Sequence, residues 1–227
     1  MTRVLSVTSE CVPLIKTGGL ADVAGALPGA LATKGVEMRT LLPGYPKVMA
    51  EVGRRRKVAE WNDLFGGAAR VYRGSLGDQV LYALDAPHLY DRDGGPYIDS
   101  HGRDHADNAE RFAALSVAAA MLCADGVEGW FPQVMHCHDW QAGYAPLYLR
   151  EIGASERVAS LMTIHNIAFQ GLSPASMISR LGLPESGFNE RGYEYWNNIS
   201  SLKAGLVYAD KLSTVSPTYA SELMTEE

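Results

Sequence analysis

A lysine and two adjacent glycines stand where one apolar run gives way to another of different period. Val4-Leu5-Ser6-Val7-Thr8 reads as a β-strand, and Leu20, Val23, Ala24, Leu27 and Leu31 recur at helical spacing. Between them lies Lys16-Thr17-Gly18-Gly19-Leu20-Ala21-Asp22-Val23. A strand that hands over to a helix at its first glycines commits the chain to an open α/β sheet, whose strand-to-helix junctions are its usual ligand sites. N–H groups at the helix N-terminus and the helix dipole favour an anion there, and glycine lets the backbone come close to a ligand. The stretch is neither G-x-G-x-x-G nor G-x-x-x-x-G-K-[ST], so on spacing alone it is equally a plain turn. Its meaning depends on what else converges on it.

The rest of the chain continues the alternation. The first helix is expected to run to about Lys34, with a kink or a second short helix at Pro28, and to end at Gly35. Met38-Arg39-Thr40-Leu41-Leu42 is a second strand closed by Pro43-Gly44, which completes a βαβ unit, almost always right-handed and parallel. Residues 56–60, 69–75 and 79–84 are short β-like runs with a hairpin turn at Leu76-Gly77-Asp78-Gln79, suggesting an antiparallel or mixed extension at one edge. Residues 85–104 form a long loop of the kind that is often functional. A helix is expected over Asp107–Ala124, a strand over Gln133–Cys137, a helix carrying Ala145, Leu147 and Leu149, and a strand over Ser160–Ile164. Helices near 174–181 and 197–208, a strand over Lys211–Val215 and a helix capped by Ser216-Pro217 complete the pattern. The expected fold is one α/β domain over residues 1–227, a Rossmann-like, doubly wound and mostly parallel sheet with helices on both faces.

Charge excludes some partners. The net charge is −6, and the one dense basic run, Arg54-Arg55-Arg56-Lys57, reads as a solvated strand entry, so no nucleic-acid surface is expected. No window reaches the roughly 18 apolar residues of a membrane span, and Met1-Thr2-Arg3-Val4 carries no leader pattern. Cys11, Cys123 and Cys137 are an odd, sparse set that points to a reducing compartment, so the chain is expected to be cytoplasmic.

Polar residues collect at three strand ends: the Lys16–Asp22 junction, His136-Cys137-His138-Asp139, and His165-Asn166. In a parallel sheet these ends share one edge, so the groups can line one crevice. His136 and His138 project to one side of their strand. With Asp139 they make a metal site conceivable, although no His-x-x-x-His or Cys-x-x-Cys supports it. Asp91-Arg92-Asp93 is a weaker metal signal. Asn166 offers the amide hydrogen bonds that sugar hydroxyls require, and no serine or cysteine sits in a nucleophile elbow.

In this order the motifs resemble the bacterial glycogen synthase and plant starch synthase family. The resemblance runs through Ser9-Glu10-Cys11-Val12-Pro13, the Lys16–Val23 junction, Leu42-Pro43-Gly44-Tyr45, Pro96-Tyr97 and Asp107-Asn108-Ala109-Glu110-Arg111-Phe112. It continues through His136-Cys137-His138-Asp139-Trp140-Gln141-Ala142-Gly143, Thr163-Ile164-His165-Asn166-Ile167-Ala168-Phe169-Gln170-Gly171 and Thr214-Val215-Ser216-Pro217. It implies the N-terminal half of a GT-B glycosyltransferase. The reaction would be retaining transfer of glucose from ADP-glucose to the non-reducing end of an α-1,4-glucan, with no metal and no cofactor. The resemblance assigns catalytic roles to His165 and Asp22. It assigns substrate contacts to Lys16, Thr17, Gly18, Gly19, Tyr97, His138, Asp139, Asn166 and Gln170. It further implies a C-terminal nucleotide-binding domain as partner, absent from a chain that stops at Glu227, so activity of this chain alone is not expected. Cys137, Ile98 and His105 depart from the family's usual residues. Two other readings are a non-catalytic glucan- or partner-binding module and a metal-dependent hydrolase using His136, His138 and Asp139.

Overall fold

The computed structural model describes residues 1–54 and 56–225. Its main sheet holds eight strands: β1 (Thr2–Val7), β2 (Val36–Pro43), β3 (Lys57–Trp61), β4 (Ala69–Leu76), β5 (Gln79–Asp85), β6 (Val134–His138), β7 (Ala159–Ile164) and, last in the chain, Lys211–Thr214. Three short strands, β8 (Leu172–Pro174), β9 (Glu194–Tyr195) and β10 (Asn198–Ser200), form a second sheet, so Lys211–Thr214 is β11. The main sheet runs β11-β7-β6-β1-β2-β5-β4-β3. It is parallel from β11 through β5 and antiparallel only where β4 and β3 extend the far edge. This is the doubly wound, mostly parallel sheet that the alternation requires.

The apolar runs explain the strand order. Leu5, Val7, Leu41, Leu42, Met135, Cys137 and Met162 are all buried, as expected of inner parallel strands covered on both faces. The covering helices are α1 (Gly19–Ala32), α2 (Pro46–Val52), α3 (Pro87–Tyr90), α4 (Asn108–Asp125), α5 (Ala145–Glu151), α6 (Ser201–Tyr208) and α7 (Pro217–Glu222). Alanines 113, 114, 118, 119 and 120 bring α4 close to its neighbours. The turn of helix after β6 packs as tightly on α6, because a Cβ on Gly143 would lie 2.0 Å from the Ser201 carbonyl oxygen.

Four segments differ from the sequence reading. Helix α1 continues through Pro28, so no second helix forms there. Gln79 Nε2 donates to the Gly25 carbonyl at 3.0 Å, adjacent to the Ala24 carbonyl that proline leaves without its usual donor. The seven-residue α2 was not anticipated; it is too short to show a period, yet it buries Val48, Met49 and Val52. The helix expected near 174–181 is one 3-10 turn, Ala175–Met177, followed by turns that end at Gly182. The stretch 197–208 opens as the β9–β10 hairpin, with Trp196 and Asn197 both at positive φ, and becomes helical only at Ser201. Ser200 Oγ caps that helix by accepting from Lys203 N at 3.0 Å.

The long loop is ordered from within. Arg111 is fully buried and donates to the carbonyls of Leu89 and Pro96, both at 2.8 Å. Asn108 Nδ2 donates to the Tyr97 carbonyl at 2.9 Å, which sets Tyr97 beside the end of β1. In the basic run, Arg54 pairs with Asp85 and Arg56 with Glu128, while Arg55 lies outside the described residues. Among the described residues no helix is long and apolar enough to cross a membrane. All three cysteines are buried and unpaired.

Candidate functional site

The ends of β1, β6 and β7 lie side by side, because β6 pairs with β1 on one side and β7 on the other. A cavity of about 400 Å³ opens at their C-terminal edge. It is lined by Thr17, Gly18, Gly19, Tyr97, Asp139, His165 and Asn166 among the expected residues, and also by Glu10, Trp140 and Phe169. A broader groove of about 860 Å³ adjoins it, sharing Thr17, Gly18, Tyr97 and Trp140 and adding Gln170, Leu172 and Met177. Three expected residues stand apart. Lys16 and Asp22 pair with each other at 2.7 Å, each about half exposed, outside the lining. His138 is fully buried behind the cavity wall.

Glu10 organises the glycine loop, and sequence reasoning did not single it out. It follows the end of β1 and is 3% exposed. Its carboxylate accepts from the Thr17 N–H, from Thr17 Oγ1 at 2.6 Å, from Gly18 N at 3.3 Å and from the Tyr97 hydroxyl at 2.5 Å. The one available signal was an acidic residue next to a buried strand end, where a charge needs donors around it. The N–H groups of Thr17 and Gly18 are thereby occupied. An anion at this junction is left with the N–H groups of the first turn of α1, beginning at Gly19, which have no intrahelical partner.

Asp139 organises the other wall. Its Oδ1 accepts from the backbone N–H of His165 at 2.7 Å and of Asn166 at 3.3 Å, and its own N–H donates to the Thr163 carbonyl at 3.0 Å. It does so at φ 55°, a conformation that costs a non-glycine residue about 1 kcal/mol or more. Asn166 Oδ1 accepts from Ala168 N at 3.0 Å, and Ile167 N donates to the Tyr219 hydroxyl at 2.9 Å, so the turn after β7 is held at each step. Burial raises the Asp139 carboxyl to about 6, against the two N–H bonds that favour its charge.

Behind that wall three imidazoles meet. The His136 and His138 rings lie 4.1 Å apart, as expected of alternate residues on one strand face. His136 Nε2 contacts Thr163 Oγ1 at 2.6 Å, while His138 reaches Ser6 Oγ at 3.2 Å and His165 Nε2 at 3.0 Å. Both nitrogens of His138 and the Nε2 atoms of His136 and His165 are therefore engaged by protein groups. Among the described residues no cluster of three histidine, cysteine or acidic side chains is placed to hold a metal ion. The hydrolase reading therefore finds no ligand set among the described residues.

Burial holds His136 and His165 at about 4 and His138 well below its ordinary 6.5. The unfolded chain protonates these rings near 6.5, whereas the fold keeps them neutral, so their contribution is lost as pH falls from about 6.5 toward 4. Asp139 acts in the opposite sense. Its folded value of about 6 exceeds the ordinary 3.8, so that group costs stability as pH rises through the same range. Three groups outweigh one, and for His136 alone the linked change is on the order of 3 kcal/mol. Thermal unfolding should therefore show a melting temperature that falls between pH 6.5 and pH 4. A rise over that interval would contradict the neutral histidine cluster.

Comparison with known proteins gives a consistent result. Residues 3–227 match the family model described as the starch synthase catalytic domain. The glycogen synthase of Paracoccus denitrificans is 65% identical over 227 residues, covering all of this chain and 48% of that protein. The glycogen synthase of Cereibacter sphaeroides strain ATCC 17025 is 56% identical over 226 residues, covering 99% of this chain and 47% of that protein. The catalytic domain of starch synthase IV from Arabidopsis thaliana, solved with ADP and acarbose, superposes with a TM-score of 0.78 at 25% identity over 99% of this chain and 47% of that one. A sucrose-phosphate synthase from Thermosynechococcus elongatus shares the fold at a TM-score of 0.53 and 15% identity, over 98% of this chain and 44% of that one. The chain spans about half the length of the curated relatives it matches.

Proposed function

The chain belongs to the starch synthase catalytic domain family, and from that premise we propose that it is one half of a retaining glucosyltransferase that moves glucose from ADP-glucose to the non-reducing end of an α-1,4-glucan. Its fold is that of the N-terminal half of a GT-B glycosyltransferase. On this reading residues 1–227 are one Rossmann-like domain acting in the cytoplasm, and a second domain supplies the nucleotide contacts. The observation that carries the reading is the convergence of Thr17, Gly18, Gly19, Tyr97, Asp139, His165 and Asn166 on one cavity at the strand ends.

Each wall has a role in the proposed reaction. The α1 N-terminus from Gly19 onward and the Lys16 ammonium face the donor diphosphate. Asp22 is released from Lys16 when the lysine turns to the phosphates, and it then takes a glucose hydroxyl. Asn166 and the His165 ring hold other hydroxyls. The His165 carbonyl is fixed by the Asp139 bond to the same residue's N–H, and it faces the anomeric carbon as positive charge develops there. Tyr97, held by Glu10, separates the donor cavity from the broader groove. That groove, with Trp140, Phe169, Leu172 and Gln170, takes the glucan acceptor. No metal or cofactor enters the proposed reaction.

The size and apolar lining of the groove favour one other reading, a glucan-binding module without catalysis. Both are tested on the 227-residue chain. Supplied with ADP-glucose and a glucan, it should give no measurable elongation, because positioning of both substrates requires both halves. Elongation at a rate comparable to a two-domain relative would refute the division of the site. Calorimetric binding of maltooligosaccharides with no donor present, in a chain that stays inactive when joined to a second half, would favour the binding module.

A further inference from the structure

We infer that Ser6 and His138 form a relay that fixes His165 in its Nδ1–H tautomer, so that the ring offers the cavity a hydrogen-bond donor and not a lone pair. Ser6 and His138 are both fully buried. Ser6 Oγ lies 3.2 Å from His138 Nε2, and His138 Nδ1 lies 3.0 Å from His165 Nε2. Three side chains from β1, the end of β6 and the residue after β7 are thus joined in a line from the core to the cavity lining.

The direction of each bond follows from the buried hydroxyl. Among the described residues, His138 Nε2 is the one hydrogen-bond partner of Ser6 Oγ. A buried hydroxyl proton with no acceptor costs about 1–3 kcal/mol, so Ser6 donates and His138 Nε2 is bare. A neutral His138 then carries its proton on Nδ1 and donates it to His165 Nε2. A neutral His165 in turn carries its proton on Nδ1. Burial keeps both rings neutral near pH 7, which removes the doubly protonated alternatives. Glu10 is the charged neighbour that favours protonation of His165, and it does not outweigh burial. The opposite arrangement, with His165 donating to His138 and His138 to Ser6, strands the serine proton.

Ser6 and His138 are positioning residues on this account. The consequence for the proposed reaction, which rests on the glucosyltransferase reading, is that His165 donates to a sugar hydroxyl oxygen. Its cavity-facing nitrogen is neither a base nor a nucleophile.

The test is long-range proton–nitrogen correlation spectroscopy of the imidazoles in the 15N-labelled 227-residue chain at neutral pH, with no substrate present. His165 and His138 should each show a protonated Nδ1 and a bare Nε2. A protonated Nε2 on either ring overturns the relay. In Ser6→Ala the constraint is lost, and the His165 nitrogen shifts should move toward the average of the two tautomers. A folded Ser6→Ala chain with an unchanged His165 pattern also overturns it. The wild-type spectrum decides the matter even where the variant does not fold. Because no substrate is used, failure of the glucosyltransferase reading leaves the result intact.

Discussion

His165→Ala, in an enzyme that carries both halves, is expected to lower glucosyl transfer by about 10²-fold, the order of loss when a reacting sugar is no longer held in position. The substitution removes the imidazole from the cavity and leaves the backbone carbonyl in place, since Asp139 holds that segment through its N–H groups. Loss should therefore appear chiefly in kcat. It also leaves the buried His138 Nδ1 without its partner, so about 1–3 kcal/mol of stability should go with it. Steady-state kinetics with ADP-glucose, together with chemical denaturation to confirm a cooperative fold, checks both parts. An unchanged kcat would remove His165 from the reacting site.

Asp139→Ala is expected to be the more damaging change. It leaves the N–H groups of His165 and Asn166 without their acceptor, and it places alanine at φ 55°. Two unpaired donors and a strained residue together cost about 3 kcal/mol or more. The same change frees the turn whose carbonyl faces the anomeric carbon in the proposed reaction, so transfer should fall by at least the factor expected for His165→Ala. Asp139→Asn separates the two causes. Asparagine has the shape of aspartate and keeps one carbonyl oxygen for the two N–H groups. The Asn variant should therefore recover most of the stability and part of the transfer rate. Equal damage from both variants would show that the negative charge, and not the hydrogen bonds, is what matters at this position.

The parts of this site that were legible in the sequence are those fixed by periodicity and parallel topology. Val4–Thr8, Gln133–Cys137 and Ser160–Ile164 are apolar runs whose ends must share one edge, and their neighbours Gly18, Asp139 and His165 do line one cavity. What was not legible depends on contacts between distant segments. Glu10 looks like an ordinary acidic residue until Tyr97, brought in by the loop that Arg111 holds, meets its carboxylate. His138 is a substrate contact only by the family resemblance, and the strand pleat turns it into the core, where it meets Ser6. The 174–181 segment carries helix-compatible residues between Pro174 and Pro184, and those prolines with Gly182 limit it to one 3-10 turn. The Trp196-Asn197 turn lacks the glycine that usually marks a hairpin, so β9 and β10 left no local signature.

In the proposed reaction this chain forms one wall of a glucan-synthesising cleft and needs the opposite wall. The most direct measurement exchanges the corresponding half of the Paracoccus denitrificans glycogen synthase, 65% identical here, for residues 1–227 of this chain. Glucose transfer from ADP-glucose to a glucan is then assayed for the chimera and for the chain alone. Transfer by the chimera and none by the chain alone is the outcome expected of one wall of a two-walled cleft. A soluble, cooperatively folded chimera that transfers no glucose would contradict it.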